Sequence, residues 1–370
     1  MTKRLFVISC LMLAVYCLQM FSPAFASQIV DLTEIGAGSK PLGTGNTFNP
    51  SDESGSLFQN PAGISNVKKY SLTSMSGNVM GEVPYLMLGG AYRTQYGVFG
   101  IGYINASVSG IREATLVNGV PEITGNEANY GSGSLLIGYA NEAKEVRFIN
   151  NIKFLTDRNA KVGASLKFVN QGFSGAASFE GAGGGGFDLD LGTIIPINER
   201  LTGSIAIKNI IPGNNIRADE LPMTITGGVA FKLPDRKLLT IADLSYTTRG
   251  FLLHLGAEWN PYKQIFLRGG FDQKPENIDY SLGVGTKVKG FTFDYAYRTF
   301  AGLSEMSTHY FSIGYIGEDP PVNVVKPKPV VKTPLPQPPV VPKPVIKQNV
   351  KKPIKAPVII KKKPVLPLKK

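Results

Sequence analysis

Cysteine is all but missing from this chain. Its two copies, Cys10 and Cys17, both lie in an apolar run at the very start. The rest of the chain therefore has no disulfides, thiolate nucleophiles or cysteine-ligated metals. Histidine is as scarce, with two copies. No HExxH, no Walker pattern and no cluster of histidine with carboxylates occurs, so no cofactor and no metal is expected. Charged residues make up 18% of the chain, against about 25% in soluble domains. Beyond residue 26 no segment approaches the roughly 18 consecutive apolar residues of a spanning helix.

The formal charge of +12 is unevenly placed. Residues 320–370 contain 13 lysines and no acid, and Lys3 and Arg4 add two more cations, which leaves residues 27–319 at −3. The basicity belongs to a tail, which removes the usual nucleic-acid reading of a basic protein. Residues 320–370 also carry 14 prolines among Val and Ile. Such density favours polyproline II and prevents a packed core, so a disordered Pro/Lys-rich tail is expected over 318–370. Extended at about 3.1 Å per residue it would reach roughly 160 Å, far enough to contact peptidoglycan across a periplasm. A solvated spacer is the alternative.

At the other end, Lys3 and Arg4 precede the apolar run from Leu5 to Met20, followed by Pro23-Ala24-Phe25-Ala26. This is the layout of an export signal over residues 1–26, cut after Ala26.

What remains alternates. In 252–259, Leu253, Leu255, Ala257 and Trp259 share one face, opposite Leu252, His254, Gly256 and Glu258. In 291–298, Phe291, Phe293, Tyr295 and Tyr297 oppose Thr292, Asp294, Ala296 and Arg298. In 163–168, Ala164, Leu166 and Phe168 oppose Gly163, Ser165 and Lys167. One face suits lipid and the other a polar lumen. Segments of this kind predict an all-β fold, a transmembrane antiparallel barrel of about 14 strands over 70–317. Trp259, Tyr280, Tyr297 and Tyr315 fall near strand ends, where an aromatic girdle belongs. Long connections are expected at 108–130, 172–183, 210–220 and 300–306 on the outer side. Residues 146–155 read as an extended inner hairpin or excursion, and Gly181–Gly186 as a flexible outer loop.

Residues 27–69 read as a segment folded into the lumen. Irregular backbone survives at membrane depth only inside protein or a wet cavity. The Gly38-Ser39-Lys40-Pro41-Leu42-Gly43-Thr44-Gly45 stretch supplies tight turns and close approach, and Asn60-Pro61-Ala62-Gly63 begins with a turn signal. Together with Lys208-Asn209, Leu221-Pro222, Arg268-Gly269-Gly270-Phe271 and Asp294-Tyr295-Ala296-Tyr297, these motifs resemble PorV/PorQ-like outer-membrane proteins, relatives of the FadL fatty-acid transporters. The resemblance covers roughly 30–316. It implies a 14-stranded outer-membrane barrel with an N-terminal plug (Gly38, Pro41, Gly43, Gly45, Asn60, Pro61 and Ala62). A PorV-type role would lie in protein export or envelope assembly by type IX secretion, with secretion-machinery proteins or exported cargo as partners beside outer-membrane lipid. A FadL-type role would be passive transport of hydrophobic small molecules, with an apolar pocket under the plug and a lateral opening. Asn46-Thr47-Phe48-Asn49 and the long tail depart from the usual pattern.

Six ionisable residues are expected in a lumen polar network: Asp243, His254, Arg268, Lys287, Asp294 and Arg298. A two-residue turn at 248–249 places Asp243 opposite His254. A turn at 260–262 would add Arg268 on the other side, and a turn at Gly290-Phe291 would pair Lys287 with Asp294. No serine motif accompanies the Asp–His–Arg row, so it reads as structural and the protein as non-enzymatic.

Overall fold

Alternating side chains need a sheet with one face toward lipid, and a sheet in lipid has to close on itself because an open edge would leave backbone groups unpaired. The computed structural model meets both demands. It describes residues 31–317, apart from 49, 52, 176–182, 212–214, 217–218, 249, 275–276 and 300–306. The expected export signal and the Pro/Lys-rich tail lie outside the described residues.

Fourteen antiparallel strands form one closed barrel. They are β1 (Tyr70–Val79), β2 (Val83–Thr94), β3 (Gly97–Val117), β4 (Val120–Glu142), β5 (Lys161–Ser174), β6 (Gly183–Pro196) and β7 (Leu201–Lys208). After a two-residue ladder, β8 (Asn215–Ile216) with β9 (Asp219–Glu220), the wall continues. It is completed by β10 (Thr224–Leu233), β11 (Leu238–Thr247), β12 (Gly250–Tyr262), β13 (Ile265–Gln273), β14 (Ile278–Val288), β15 (Phe291–Thr299) and β16 (Ser307–Gly317). Closure is made by β1 against β16, from Tyr70↔Gly317 to Gly77↔Tyr310. No helix among the described residues is long and apolar enough to cross a membrane; the crossing is made by strands. Leu253, Trp259, Tyr280, Leu282, Phe293 and Phe311 stand exposed on the outer face, while Ser281, Asp294 and Ser312 from the same strands are buried inside.

Three local expectations are corrected. Residues 108–130 are not a plain loop: β3 and β4 continue as a ribbon to an Asn118-Gly119 turn, where both residues have positive φ (53° and 82°). That is the type I′ pair that a hairpin selects. Residues 146–155 are neither strand nor hairpin but successive turns leading into a helical turn at Lys153–Thr156. Gly183–Gly186 are strand residues paired with 169–172, not loop; Gly181 and Ala182 lie outside the described residues.

The segment before β1 occupies the lumen. One turn of helix (Leu32–Ile35), a second (Ser39–Gly43) and two 3-10 turns (Ser54–Phe58, Pro61–Asn66) are almost wholly buried. On one flank the packing is mainly apolar. Leu42, Leu57, Phe58 and Ile64 meet Met75, Met87, Ile104, Leu136 and Tyr310 in one apolar cluster. Elsewhere plug backbone lies directly on wall backbone. A methyl at Gly163 would stand 2.5 Å from the Pro61–Ala62 peptide, and one at Gly192 would stand 2.0 Å from Asn60 Oδ1. Methyls at Gly256 and Gly270 would meet the Thr44 backbone at 2.2 and 2.4 Å. The small lumen face is thus a seat, not an open bore.

Gly163→Ala is expected to destabilise the protein by about 1–3 kcal/mol, because backbone cannot yield as a flexible side chain can. Gly227→Ala, where nothing lies within 4 Å, is the neutral control. Urea unfolding in detergent, with protease accessibility of the plug, measures both.

Candidate functional site

The plug is tied down by charges as well as by packing. Asp31 caps the first helical turn, its carboxylate accepting from Thr33 N at 2.9 Å. The same carboxylate accepts from Lys167 Nζ on β5 at 2.7 Å and from Asn209 at 3.1 Å. Lys167 also lies 3.4 Å from Asp190 on β6, with every member of the trio at most 2% exposed. Burial alone would raise the Asp31 carboxyl, but Lys167 and then Lys208 outweigh it and hold the group well below the ordinary carboxylate range. Three turns of chain further on, Gly45 N donates to Ser281 Oγ and Phe48 N to Asp243 Oδ2.

A second cluster centres on Arg298. Its guanidinium donates to the Ile35 carbonyl of the plug at 3.0 Å and to Asp279 at 2.8 Å, and it is ion-paired with Asp272. Asp272 is also met by Lys274 at 2.8 Å. His254 Nδ1 lies 2.8 Å from Asp272 Oδ1, off the hydrogen-bonding direction. A third cluster joins Arg268 to Glu258 at 2.8 Å and to Asp294 at 2.5 Å, beside Gly43 of the plug.

These positions sort the predicted network. Asp243 does stand opposite His254, with Thr247 paired to Gly250 across the turn. Arg268 does not join them. A register shift between Trp259 and Tyr262 and a turn at 263–264 place Asp272 opposite His254 and Arg268 opposite Glu258. Nor do Lys287 and Asp294 pair. The turn is Lys289-Gly290, both with positive φ, so Lys287 faces Thr292 and Asp294 faces Gly285. Arg298 was placed on the lumen face without partners; Asp272, Asp279 and the Ile35 carbonyl supply them. His309 faces outward and shares a 2.7 Å hydrogen bond with Tyr295. The sequence pattern gives no sign of Asp31, Asp190, Asp272 and Asp279, and gives Glu258 an inward face without a partner.

The plug residues divide by role. Gly38 N-caps the second helical turn, and Pro41 sits within it with its carbonyl accepting from Thr44. Gly43 and Gly45 touch wall backbone at Gly283 and at Leu255 and Phe271. Asn60 caps the 3-10 turn through Ala62 N and reaches the Thr193 and Ile205 carbonyls, both at 3.2 Å, while Pro61 opens that turn.

One cavity of about 90 Å³ remains between plug and wall, beside Glu34, Phe48, Lys208, Asp243, His254 and Lys274. Most of the residues around it carry polar side chains, and its volume suffices for several waters. Glu34 accepts from Thr224 at 2.8 Å, while burial and then the Asp31 charge push its carboxyl above its ordinary value. The apolar pocket expected of a transporter is not formed under the plug among the described residues: the apolar flank is filled by the plug itself. Each barrel strand is hydrogen-bonded to its neighbours, but β6 is paired to β7 only over Leu191–Pro196. No group of three or more metal-ligating side chains occurs among the described residues.

No protein-family model and no curated protein matches this chain. Solved structures do share its fold. The Pseudomonas putida toluene transporter TodX aligns with a TM-score of 0.53 and 13% identity, over 78% of this chain and 98% of that one. The monoaromatic hydrocarbon channel CymD aligns with a TM-score of 0.52 and 14% identity, over 76% and 97%. These findings overturn the PorV/PorQ resemblance and, with it, the secretion role and its secretion-machinery and cargo partners. The Gly38–Gly45 and Asn60–Ala62 motifs that carried the resemblance answer a need of any plugged barrel, contact between plug backbone and wall backbone, and so do not distinguish one such family from another.

Lys167→Met is expected to cost about 3–5 kcal/mol, since it strands buried carboxylates. Replacing Asp31 and Asp190 by Leu as well should recover much of that. The depressed Asp31 also sets a pH dependence. Its contribution is whole above the ordinary carboxyl value near about 4 and falls away as pH drops toward the lower folded value. Protease cleavage of the plug in detergent should therefore stay slow at neutral pH and accelerate only in acid.

Proposed function

We propose that this chain is a passive outer-membrane channel for small hydrophobic molecules of the kind named for TodX and CymD. The observation that carries the reading is a closed 14-stranded barrel, of the same fold as those two channels, whose lumen is stoppered by its own N-terminal segment. Residues 27–69 are read as the plug, 70–317 as the barrel, and 318–370 as a tail on the periplasmic side. No chemical step is assigned to the protein.

The distribution of apolar surface supports this reading. On the flank of β1 to β4 the plug offers Leu57, Phe58 and Ile64. Phe58 lies against Gly89 and Gly102 of the wall. On the membrane side of the same glycines is an apolar hollow lined by Leu72, Leu88, Ile101, Leu135 and Ile313. Backbone alone separates the plug's apolar flank from the membrane there. A hydrophobic solute moving along this cluster keeps apolar contact with Leu57, Phe58 and Ile64, and displacement of the plug opens the path. The polar clusters then act as latches. The lumen network, Asp243, His254, Arg268, Asp294 and Arg298 with Asp31 and Lys167, holds the plug in the closed position.

The absence of cysteine after residue 26 makes this testable. Ser39 and Ser312 join plug to wall with their hydroxyls 2.8 Å apart. A Ser39→Cys/Ser312→Cys variant should form a disulfide there. Cells producing it should take up a labelled monoaromatic hydrocarbon only after reduction, while the parent is indifferent to reductant. Equal uptake by oxidised and reduced variant, or parent uptake no greater than that of barrel-free cells, would overturn the reading.

A further inference from the structure

The β4–β5 connection, residues 143–160, lies at the end of the barrel where Tyr70 and Gly317 sit. Its base is closed by Ala143 N donating to the Ala160 carbonyl at 2.8 Å. Val146, Ile149, Ile152 and Leu155 each donate a backbone bond to the residue three before, so the segment satisfies much of its own backbone. Its apolar side chains are left uncovered. Phe148 is 91% exposed, Phe154 58% and Ile152 48%. Uncovered side chains of this size mark an interaction surface.

Arg147, Lys153 and Arg158 are interleaved with them, and Asp157 is the only acid between 146 and 158. None of the three cations has an ion pair among the described residues, and Arg158 lies 4.7 Å over the Phe154 ring. Just before the segment, the lipid belt of the barrel ends in an aromatic rim. Tyr139 packs on Phe99 with ring centroids 5.2 Å apart, and its hydroxyl donates to the Tyr96 carbonyl at 2.6 Å. Only three residues separate Tyr139 from Ala143. The connection therefore leaves the wall at headgroup level and presents large apolar groups among cations there.

We propose that residues 146–158 are an interfacial anchor for anionic phospholipid. Phe148, Ile152 and Phe154 enter the acyl boundary of the leaflet at this end, and Arg147, Lys153 and Arg158 meet lipid phosphates. Continuity with the aromatic rim and the apolar belt selects lipid as the occupant. Alternation of aromatic and basic side chains is the pattern that holds a segment in that plane, with long cationic side chains reaching outward to the headgroups. Each cation adds attraction to an anionic surface that salt screens. The anchor is independent of what the lumen conducts.

The test uses the full chain. With Trp259→Phe removing the single tryptophan, Phe148→Trp becomes the only tryptophan reporter. In vesicles of phosphatidylcholine and phosphatidylglycerol with brominated acyl chains, it should lose on the order of half its fluorescence relative to unbrominated lipid. Phosphatidylcholine alone should quench it less, as should added salt or an Arg147→Gln/Lys153→Gln/Arg158→Gln background. Phe154→Trp gives the same reading should Phe148→Trp fail to assemble. A reporter untouched by bromination, while Trp259 of the parent is quenched, would overturn the proposal. Quenching equal in both lipids would overturn its anionic part.

Discussion

A barrel that holds a folded segment of its own chain must bring backbone against backbone, and most of this structure follows from that. A wall of ordinary side chains would leave no room. The wall instead places Gly163 and Gly192 against Asn60–Ala62, and Gly256, Gly270 and Gly283 against Gly43–Gly45. Glycine carries a cost in a strand, for it packs nothing and loses the most freedom on folding. It is tolerated here because the plug fills the space that its missing side chain leaves.

The second consequence is asymmetry. Against β1 to β4 the plug packs mainly through apolar side chains, with hydrogen bonds from Tyr85 and Arg93 to plug carbonyls and from Ser54 to Ser71 and Thr73. Against β5 to β15 it is held by ions: Asp31 with Lys167, the Ile35 carbonyl with Arg298, Phe48 N with Asp243. Neither flank would serve alone. A wholly apolar lumen would leave the irregular plug backbone unpaired, and a wholly charged one would carry a large desolvation cost. The division also leaves a cluster of apolar side chains on the β1 to β4 side, Leu57, Phe58 and Ile64 against Met87, Ile104 and Leu136.

Much of the barrel was legible in the chain because strand periodicity is local. The face assignments in β5, β12 and β15 follow from alternation, which a shift of one residue would invert wholesale. The ribbon at Asn118-Gly119 was legible too, in a turn pair that was passed over. The lumen contacts were not. Asp243 and His254 were paired because a two-residue turn separates them. Arg268 was misplaced because β12 runs on to Tyr262 and turns at 263–264, not at 260–262, and a one-residue register shift between Trp259 and Tyr262 then sets the partners beyond it. Asp31 and Lys167 are 136 positions apart, and only closure of the barrel around the plug joins them.

What the chain alone determined is therefore which residues face lipid and which face inward, how many strands make the wall, and that the N-terminal segment is too irregular for open membrane. These rest on period, composition and turn chemistry, all short-range. The tertiary structure alone decided which inward charges meet, where the plug rests and which flank is mainly apolar. Those depend on register and on ring closure, which sum small local offsets around fourteen strands.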